Sequence, residues 1–411
     1  MKNIILFDSD TRNQLLPLTY TRPVCELRIG ILTIREKWER CFNGKTSYIT
    51  QDYLSEKYPI VISSDNYVIN GSVLPDTELC HRINNLRNNE ALLKNGELIA
   101  ARLDEKQFQN LMEDNDIEEL EGFELDQDVK LLIIDHVWDI FSLNEKALKS
   151  DFEMITKGRI SAPLSKTNQI IGDIDQIFLE EGAVVECAIL NTTKGPIYIG
   201  KNAEIMEGCI VRGGLALCDA SILKMGAKIY GATTIGPHSK VGGEVNNTVI
   251  IGFSNKAHEG YLGNSVIGEW CNIGADTNTS NLKNNYEPVK LWDYTTDTFA
   301  KTGLQFLGLI MGDHSKCAIN TMFNTGTVVG VFSNIFGAGF PRNFIPSFSW
   351  GGPAGFDTYP FNKASDTANR VLGRRNMSLS PQDYDIMKYI FDFSSRYRTW
   401  EKEKEASVKL N

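Results

Sequence analysis

At 411 residues, 42% of them hydrophobic, the chain is long enough for two domains that each bury a core unaided. Its net charge of -10 comes without basic blocks or aromatic-basic interleaving, which argues against a nucleic-acid surface, and no run approaches the roughly 20 apolar residues of a membrane span. The eight cysteines show no CxxC pair and no cysteine-histidine cluster at metal spacing, so reduced thiols in a cytoplasmic compartment are expected and a structural zinc is not.

The opening "MKNIILFDSD" turns acidic after a short apolar run, too soon for a signal-peptide core. Within it "NIILF" reads as a strand, followed by "GILTIREKWERCF" as a helix and "PIVIS" and "NYVING" as strands. "EKQFQNLMED" reads as a helix, "KLLIID" as a strand, and "WDIFSLNEKALKSDF", Trp138 to Phe152, as a helix leading out of the domain. This alternation predicts an α/β, Rossmann-like layout over residues 1–155.

From about Gln169 the helical period disappears. Ile199, Ile205, Val211, Leu217, Leu223, Ile229, Ile235 and Val241 form eight successive aliphatic anchors six residues apart. Four positions after most of them stands a small residue: Ala203, Cys209, Ser221, Ala227, Thr233 or Ser239. Such a step suits a solenoid of short strands, three to a triangular coil, each coil burying its aliphatics on the next. The spacing leaves the handedness open. The register slips after Val241, resumes at Ile267 and Ile273, and breaks again between about Thr277 and Thr302; interruptions of a solenoid map to loops, often on the binding face. The solenoid is expected over 156–345. A Pro/Trp/Phe-rich cap, "FPRNFIPSFSWGGPAGF", and helical "SPQDYDIMKYIFDFSSRYR" follow, with 346–411 as the C-terminal cap and tail.

One of the five histidines, His258, stands at the first interruption, in "HEGYLGNSVIGEWCNIGADTNTSN". Together with the hexapeptide coil, this segment resembles the acetyltransferase half of the bifunctional N-acetylglucosamine-1-phosphate uridyltransferase/glucosamine-1-phosphate acetyltransferases. The resemblance implies a left-handed parallel β-helix that trimerises and binds acetyl-CoA between coils of two subunits. By position it implies His258 as catalytic base, Tyr261, Asn272 and Asn281 as substrate contacts, and Ile319, Gly337 and Ala338 along the acetyl-CoA site. The residue types suit the chemistry. Acyl transfer from a thioester to an amine needs a group titrating near neutrality to take the proton, and neutral amide donors for the oxyanion. The blander readings are a surface histidine for His258, left-handed corners or a stacked ladder for the asparagines, and coil packing for His314. The segment also departs from the family pattern: Asp276 stands for a glycine, Leu282 for a tyrosine, and the sugar-phosphate cations fall near Tyr230 and Asn246.

The first domain is a more distant echo of the sugar nucleotidyltransferases. In "FDSDTRNQLLPLTYTRPVCELRIG" the Thr11-Arg12, Pro17-Leu18-Thr19 and Pro23 of the triphosphate-gripping loop survive, the glycines are absent and Val24 replaces the lysine. The resemblance implies Arg12, Thr19, Arg22, Arg28 and Gly71 around the nucleotide. "YVINGSVLP" has Ser72 where the family's Mg²⁺-binding aspartate stands, which leaves Asp8, Asp10 or Asp76 as metal candidates or as solvated loop carboxylates. The reading as a whole is a transferase of sugar-nucleotide biosynthesis, a cytoplasmic homotrimer acting on sugar phosphates, nucleotides and CoA. Its alternative is a non-catalytic trimeric scaffold that senses a sugar nucleotide.

Overall fold

The computed structural model describes residues 2–112 and 120–401. Its contacts divide the chain into two compact units. The first comprises 1–15, 22–27 and 32–136; the second comprises 16–21, 28–31 and 137–411.

The first unit is built on a six-stranded mixed sheet. Asn3–Phe7 lies at its heart, parallel to Lys45–Ile49 on one side and Asn66–Asn70 on the other. Beyond Asn66–Asn70 the sheet turns antiparallel through Glu97–Leu103 and Glu90–Lys94. Ile4, Ile5 and Leu6 are all buried, as expected for a strand covered on both faces. The helix begins at Ile34, later than its apolar pattern suggests, because Thr33 and Glu36 form a capping box there. "PIVIS" is not a strand: Val61 and Ile62 are exposed and only Asn66–Asn70 joins the sheet. "KLLIID" contributes only Leu132–Ile133, paired with Val73–Leu74. The helix predicted in "EKQFQNLMED" is present as Glu105–Met112, and its last residues lie outside the described ones. Cys41 and Cys80, on neighbouring helices whose Cα atoms approach to 6.6 Å, are joined as a disulfide, where reduced thiols were expected.

The second unit is a parallel β-solenoid of about ten turns with three sheet faces. Every anchor of the six-residue repeat is at most 1% exposed, and the small residues four positions on are buried beside them. Small side chains are required there because the chain turns between faces while the next coil stacks about 4.8 Å away. The second break, after Thr279, is an inserted antiparallel hairpin, Lys290–Asp293 with Thr298–Lys301. The first is no insertion. The coil merely shortens, with Val245, Lys256 and Leu262 still pointing inward. The final parallel edge is closed by an antiparallel pair, Ser349–Gly352 with Gly355–Thr358. The helices Phe361–Gly373 and Pro381–Phe393 follow.

Two features fall outside the sequence expectations. The exit helix is two helices, Asp139–Ser142 and Asn144–Thr156, and by contacts both are grouped with the second unit. At one solenoid corner His238, Phe253, Trp270, His314, Phe332 and Phe348 stack in a continuous column, all with left-handed backbone. His314 is packed between Trp270 and Phe332 in that column.

Candidate functional site

His258 lies at the corner between Asn255–Lys256, on the ten-stranded face, and Tyr261–Gly263, on the six-stranded face, with its side chain exposed. The corner is possible because of the coil before it. A Cβ on Gly243 would meet the His258 carbonyl oxygen at 2.8 Å, and Gly243 has φ +72°, which glycine adopts freely. Gly260, with φ +116°, is packed still more tightly; its Cβ would meet the Thr277 carbonyl oxygen at 2.2 Å.

Tyr261 and Asn281 are brought together. The Asn281 amide donates to the Tyr261 hydroxyl at 2.9 Å and to Asn264 Oδ1 at 2.8 Å, while the Tyr261 N–H donates to Asn278 Oδ1 at 2.8 Å. Asn272 is not with them; it sits on the ten-stranded face and accepts from the Asn255 amide at 3.0 Å. Ile319, Gly337 and Ala338 belong to the later coils at the same kind of corner. The Asp276 N–H donates to the Glu259 carbonyl at 3.0 Å and the Asn320 N–H to the Ala275 carbonyl at 2.8 Å, a column that starts beside His258. Ile319 is 69% exposed there. Asp276 holds the corner with φ +56°, a conformation aspartate tolerates better than most residues, so the missing glycine does not disturb the turn. Leu282 pairs with Phe306 at the root of the inserted hairpin.

The six-stranded face beside Tyr261 is more charged than the sequence comparison suggested. Lys228, Glu244 and Tyr261 are cross-strand neighbours in one row, and Arg212 and Tyr230 in the adjacent row. The Tyr230 hydroxyl donates to Glu244 at 2.6 Å; burial and that carboxylate hold the phenol above its ordinary range. Lys228 is 3.6 Å from Glu259. Cations are therefore present on this face, though not at 230 or 246.

Sequence reasoning missed Lys256. Its ammonium is inside the coil and donates to the carbonyls of Gly242 at 2.9 Å and His258 at 2.8 Å. Burial pushes it down to about 8, against the opposing pull of Glu259 and Asp276. The six-residue steps from Ile250 to Lys256 to Leu262 were the available signal.

In the first unit, Asp8 and Gly71 follow the ends of two adjacent parallel strands, where open α/β sheets commonly bind ligands. The Gly71 N–H donates to the Phe7 carbonyl, and a Cβ there would press on that oxygen at 3.1 Å. Asp8 is buried and committed. It accepts from the Val24 N–H at 2.8 Å and the Thr50 hydroxyl at 2.7 Å, with Arg12 at 3.5 Å; burial raises its carboxyl despite these partners. Arg12 also donates to the Tyr53 hydroxyl at 2.6 Å. Asp76 caps the Thr77–Asn84 helix through the Leu79 N–H at 2.7 Å, and Asp10 is exposed at the start of a short 3-10 helix. Arg22 is buried in this unit. Thr19 and Arg28 are buried in the second; Arg28 donates to the carbonyls of Ile251, at 3.2 Å, and Ile31. The candidate nucleotide residues are thus split between the units. Among the described residues no three His, Cys, Asp or Glu side chains gather into a metal site. Asp8 and Asp76, two of the three carboxylates considered for Mg²⁺, are already engaged by internal partners.

Comparison with known proteins bears on both units. Residues 4–160 match the sugar nucleotidyl transferase family. Several bifunctional proteins are similar to parts of this chain at low identity. The chain is 37% identical over 87 residues to the bifunctional protein GlmU of Methanocaldococcus jannaschii, covering 21% of each chain. It is 28% identical over 145 residues to the bifunctional sugar-1-phosphate nucleotidylyltransferase/acetyltransferase of Sulfurisphaera tokodaii, covering 35% of this chain and 36% of the relative. A GlmU of Methanococcus maripaludis is 27% identical over 197 residues, 48% of this chain and 41% of the relative. The matched region thus spans between 21% and 41% of these relatives' length. Among solved structures, the polySia specific acetyltransferase NeuO aligns at 15% identity with a TM-score of 0.27 over 47% of this chain and 87% of that one, too slight to bear on function.

Proposed function

We propose that the chain is a transferase of sugar-nucleotide biosynthesis whose solenoid transfers an acetyl or other acyl group from a CoA thioester to an amino sugar or its phosphate. In this reading the sugar amine attacks the thioester carbonyl carbon, its proton passes to His258, the C–S bond breaks and CoA leaves as the thiol. Tyr261 and Asn281 orient the acceptor, and backbone along Ile319, Gly337 and Ala338 lies against the CoA thioester arm. The observation that supports it is the exposed "HEGYLG" corner, in which His258 stands three residues before Tyr261, the hydrogen-bond partner of Asn281. The names of the relatives support the same chemistry. A homotrimer and a cytoplasmic setting belong to this reading.

The test is CoA release from acetyl-CoA with glucosamine 1-phosphate and its unphosphorylated counterpart as acceptors. His258→Ala should lower the rate by about a hundredfold or more; a rate within a few-fold of wild type rejects the assignment. Light scattering of the intact protein reads out the trimer.

For the first unit we propose nucleotidyl transfer from UTP or dTTP to a sugar 1-phosphate, supported by the family match. One observation favours a second reading, in which this unit senses a sugar nucleotide without catalysis: Asp8, Asp76 and Arg28 are all held by internal partners. Pyrophosphate release with a panel of sugar 1-phosphates separates the two. A sensor would show no turnover, yet would be stabilised by about 2.7 kcal/mol at a hundred times the Kd of its nucleotide.

A further inference from the structure

On the second unit, at the corner that carries the aromatic column, a cleft of ≈ 420 Å³ opens between the solenoid wall and the end of the Phe361–Gly373 helix. Four cationic side chains line it, Lys240, Lys316, Arg374 and Arg375, and no carboxylate does, on a chain whose net charge is -10. None of the four forms an ion pair among the described residues. Arg375 donates to the His238 carbonyl at 2.7 Å, and Lys316 spends one proton on the His314 carbonyl at 2.7 Å.

Lys316 is the most telling of them. It is half-buried, with one acceptor for three N–H donors, and burial pushes its ammonium down to about 8. A buried ammonium costs stability unless an anion meets it. The apolar wall is made by Phe253 and Trp270, stacked with centroids 4.4 Å apart and covered on their outer faces by His238 and His314, which leaves the ring edges as their open sides. Aromatic edges carry the positive side of the ring quadrupole and add to the same preference.

We propose that this cleft is a binding site for a small molecule carrying a pyrophosphate or two neighbouring phosphates, gripped by Lys240, Lys316, Arg374 and Arg375 with the rest of the ligand against Phe253 and Trp270. The arginine pair offers planar, forked donors and the lysines compact charges, a combination suited to phosphate oxygens. The site does not depend on the role of His258. Both a nucleoside triphosphate and CoA contain the required group, and binding distinguishes them.

The test is calorimetric titration of the full chain with inorganic pyrophosphate, UTP and CoA, each against wild type, Lys316→Met and the double variant Lys240→Gln/Arg375→Gln. The double variant changes only exposed side chains, so it tests the site even where Lys316→Met fails to fold. The expected result is that inorganic pyrophosphate binds wild type and that its Kd rises tenfold or more in the double variant. Whichever of UTP and CoA shows the same loss is the source of the ligand. The proposal is overturned if pyrophosphate does not bind wild type, or if the double variant weakens it less than tenfold; binding at other sites would leave the two proteins alike.

Discussion

The ammonium of Lys256 donates to the carbonyl of His258 at 2.8 Å, from inside the coil that presents the histidine outside it. The same ammonium reaches the Gly242 carbonyl one coil earlier, so a single buried charge ties two turns of the solenoid together beneath the candidate base. Lys256→Met would keep the apolar stem and leave both carbonyls without that donor, at a cost of about 1–3 kcal/mol. Thermal unfolding of the variant measures it. Because the His258 backbone loses its tether, kcat for acyl transfer should fall about tenfold with KM nearly unchanged. An unchanged kcat in a destabilised variant would assign Lys256 to folding alone.

Lys256 also predicts an unusual pH dependence. Its folded value of about 8 lies below the ordinary 10.5, so below pH 8 both folded and unfolded chains hold the proton and the penalty for burying the charge is fully present. Between pH 8 and 10.5 the folded chain has released the proton and the unfolded chain still holds it. Stability therefore rises with pH across that window. Lys316, also pushed down to about 8, acts with the same sign. The expected outcome is that wild type gains stability on Lys256→Met from pH 8 to 10, read as the difference between their unfolding curves. A difference that shrinks over that range contradicts it.

How much of this was legible depended on which force fixed each element. The solenoid was readable because its core admits only aliphatics every six residues, and Ile199 through Val241 supply them without a gap. Lys256 was not, because a lysine normally marks the surface and its buried bonds to two carbonyls are made by coils that neighbour only in space. The mixed sheet of the first unit was hidden for a related reason. "PIVIS" has the apolar composition of a strand, but the chain pairs Asn66–Asn70 with Asn3–Phe7, and composition does not choose partners. In the candidate site, the family resemblance named Tyr261, Asn272 and Asn281 together as substrate contacts, and the first and last of these are hydrogen-bonded to one another. That grouping did not show that Asn272 lies on another face, since a shift of one strand changes the face a residue joins.

The cations on the six-stranded face give a prediction about the acceptor. Lys228 is two strands from Tyr261 in the same row, close enough to Glu259 that the pair neutralise one another until an anionic group competes. If the acceptor carries a phosphate held here, Lys228→Met should raise KM for glucosamine 1-phosphate about tenfold and leave KM for glucosamine unchanged, with kcat similar for both. Equal KM values before and after the substitution would mean that the phosphate, if present, lies elsewhere.

Asn144 makes the most specific structural prediction. It is wholly buried in the second unit, and its side-chain oxygen accepts from the Gly30 N–H at 2.7 Å and from the Thr234 hydroxyl at 3.1 Å, while its amide donates to the Ala232 carbonyl at 2.8 Å. One side chain thus joins the 28–31 segment, the Asn144–Thr156 helix and the solenoid wall. Asp151, on the same helix, receives the next N–H of that segment, Ile31, at 2.7 Å. Asn144→Ala strands a buried donor and a buried acceptor at once, and should destabilise the second unit by about 2–3 kcal/mol. Asn144→Asp should fare no better, because it replaces the amide donor facing the Ala232 carbonyl with an acceptor at a wholly buried position. Protection of the Gly30 and Ile31 amides against hydrogen exchange reads the effect locally. Both should exchange faster in Asn144→Ala, whereas loss at Gly30 with Ile31 unchanged would show that Asp151 alone holds the segment in place.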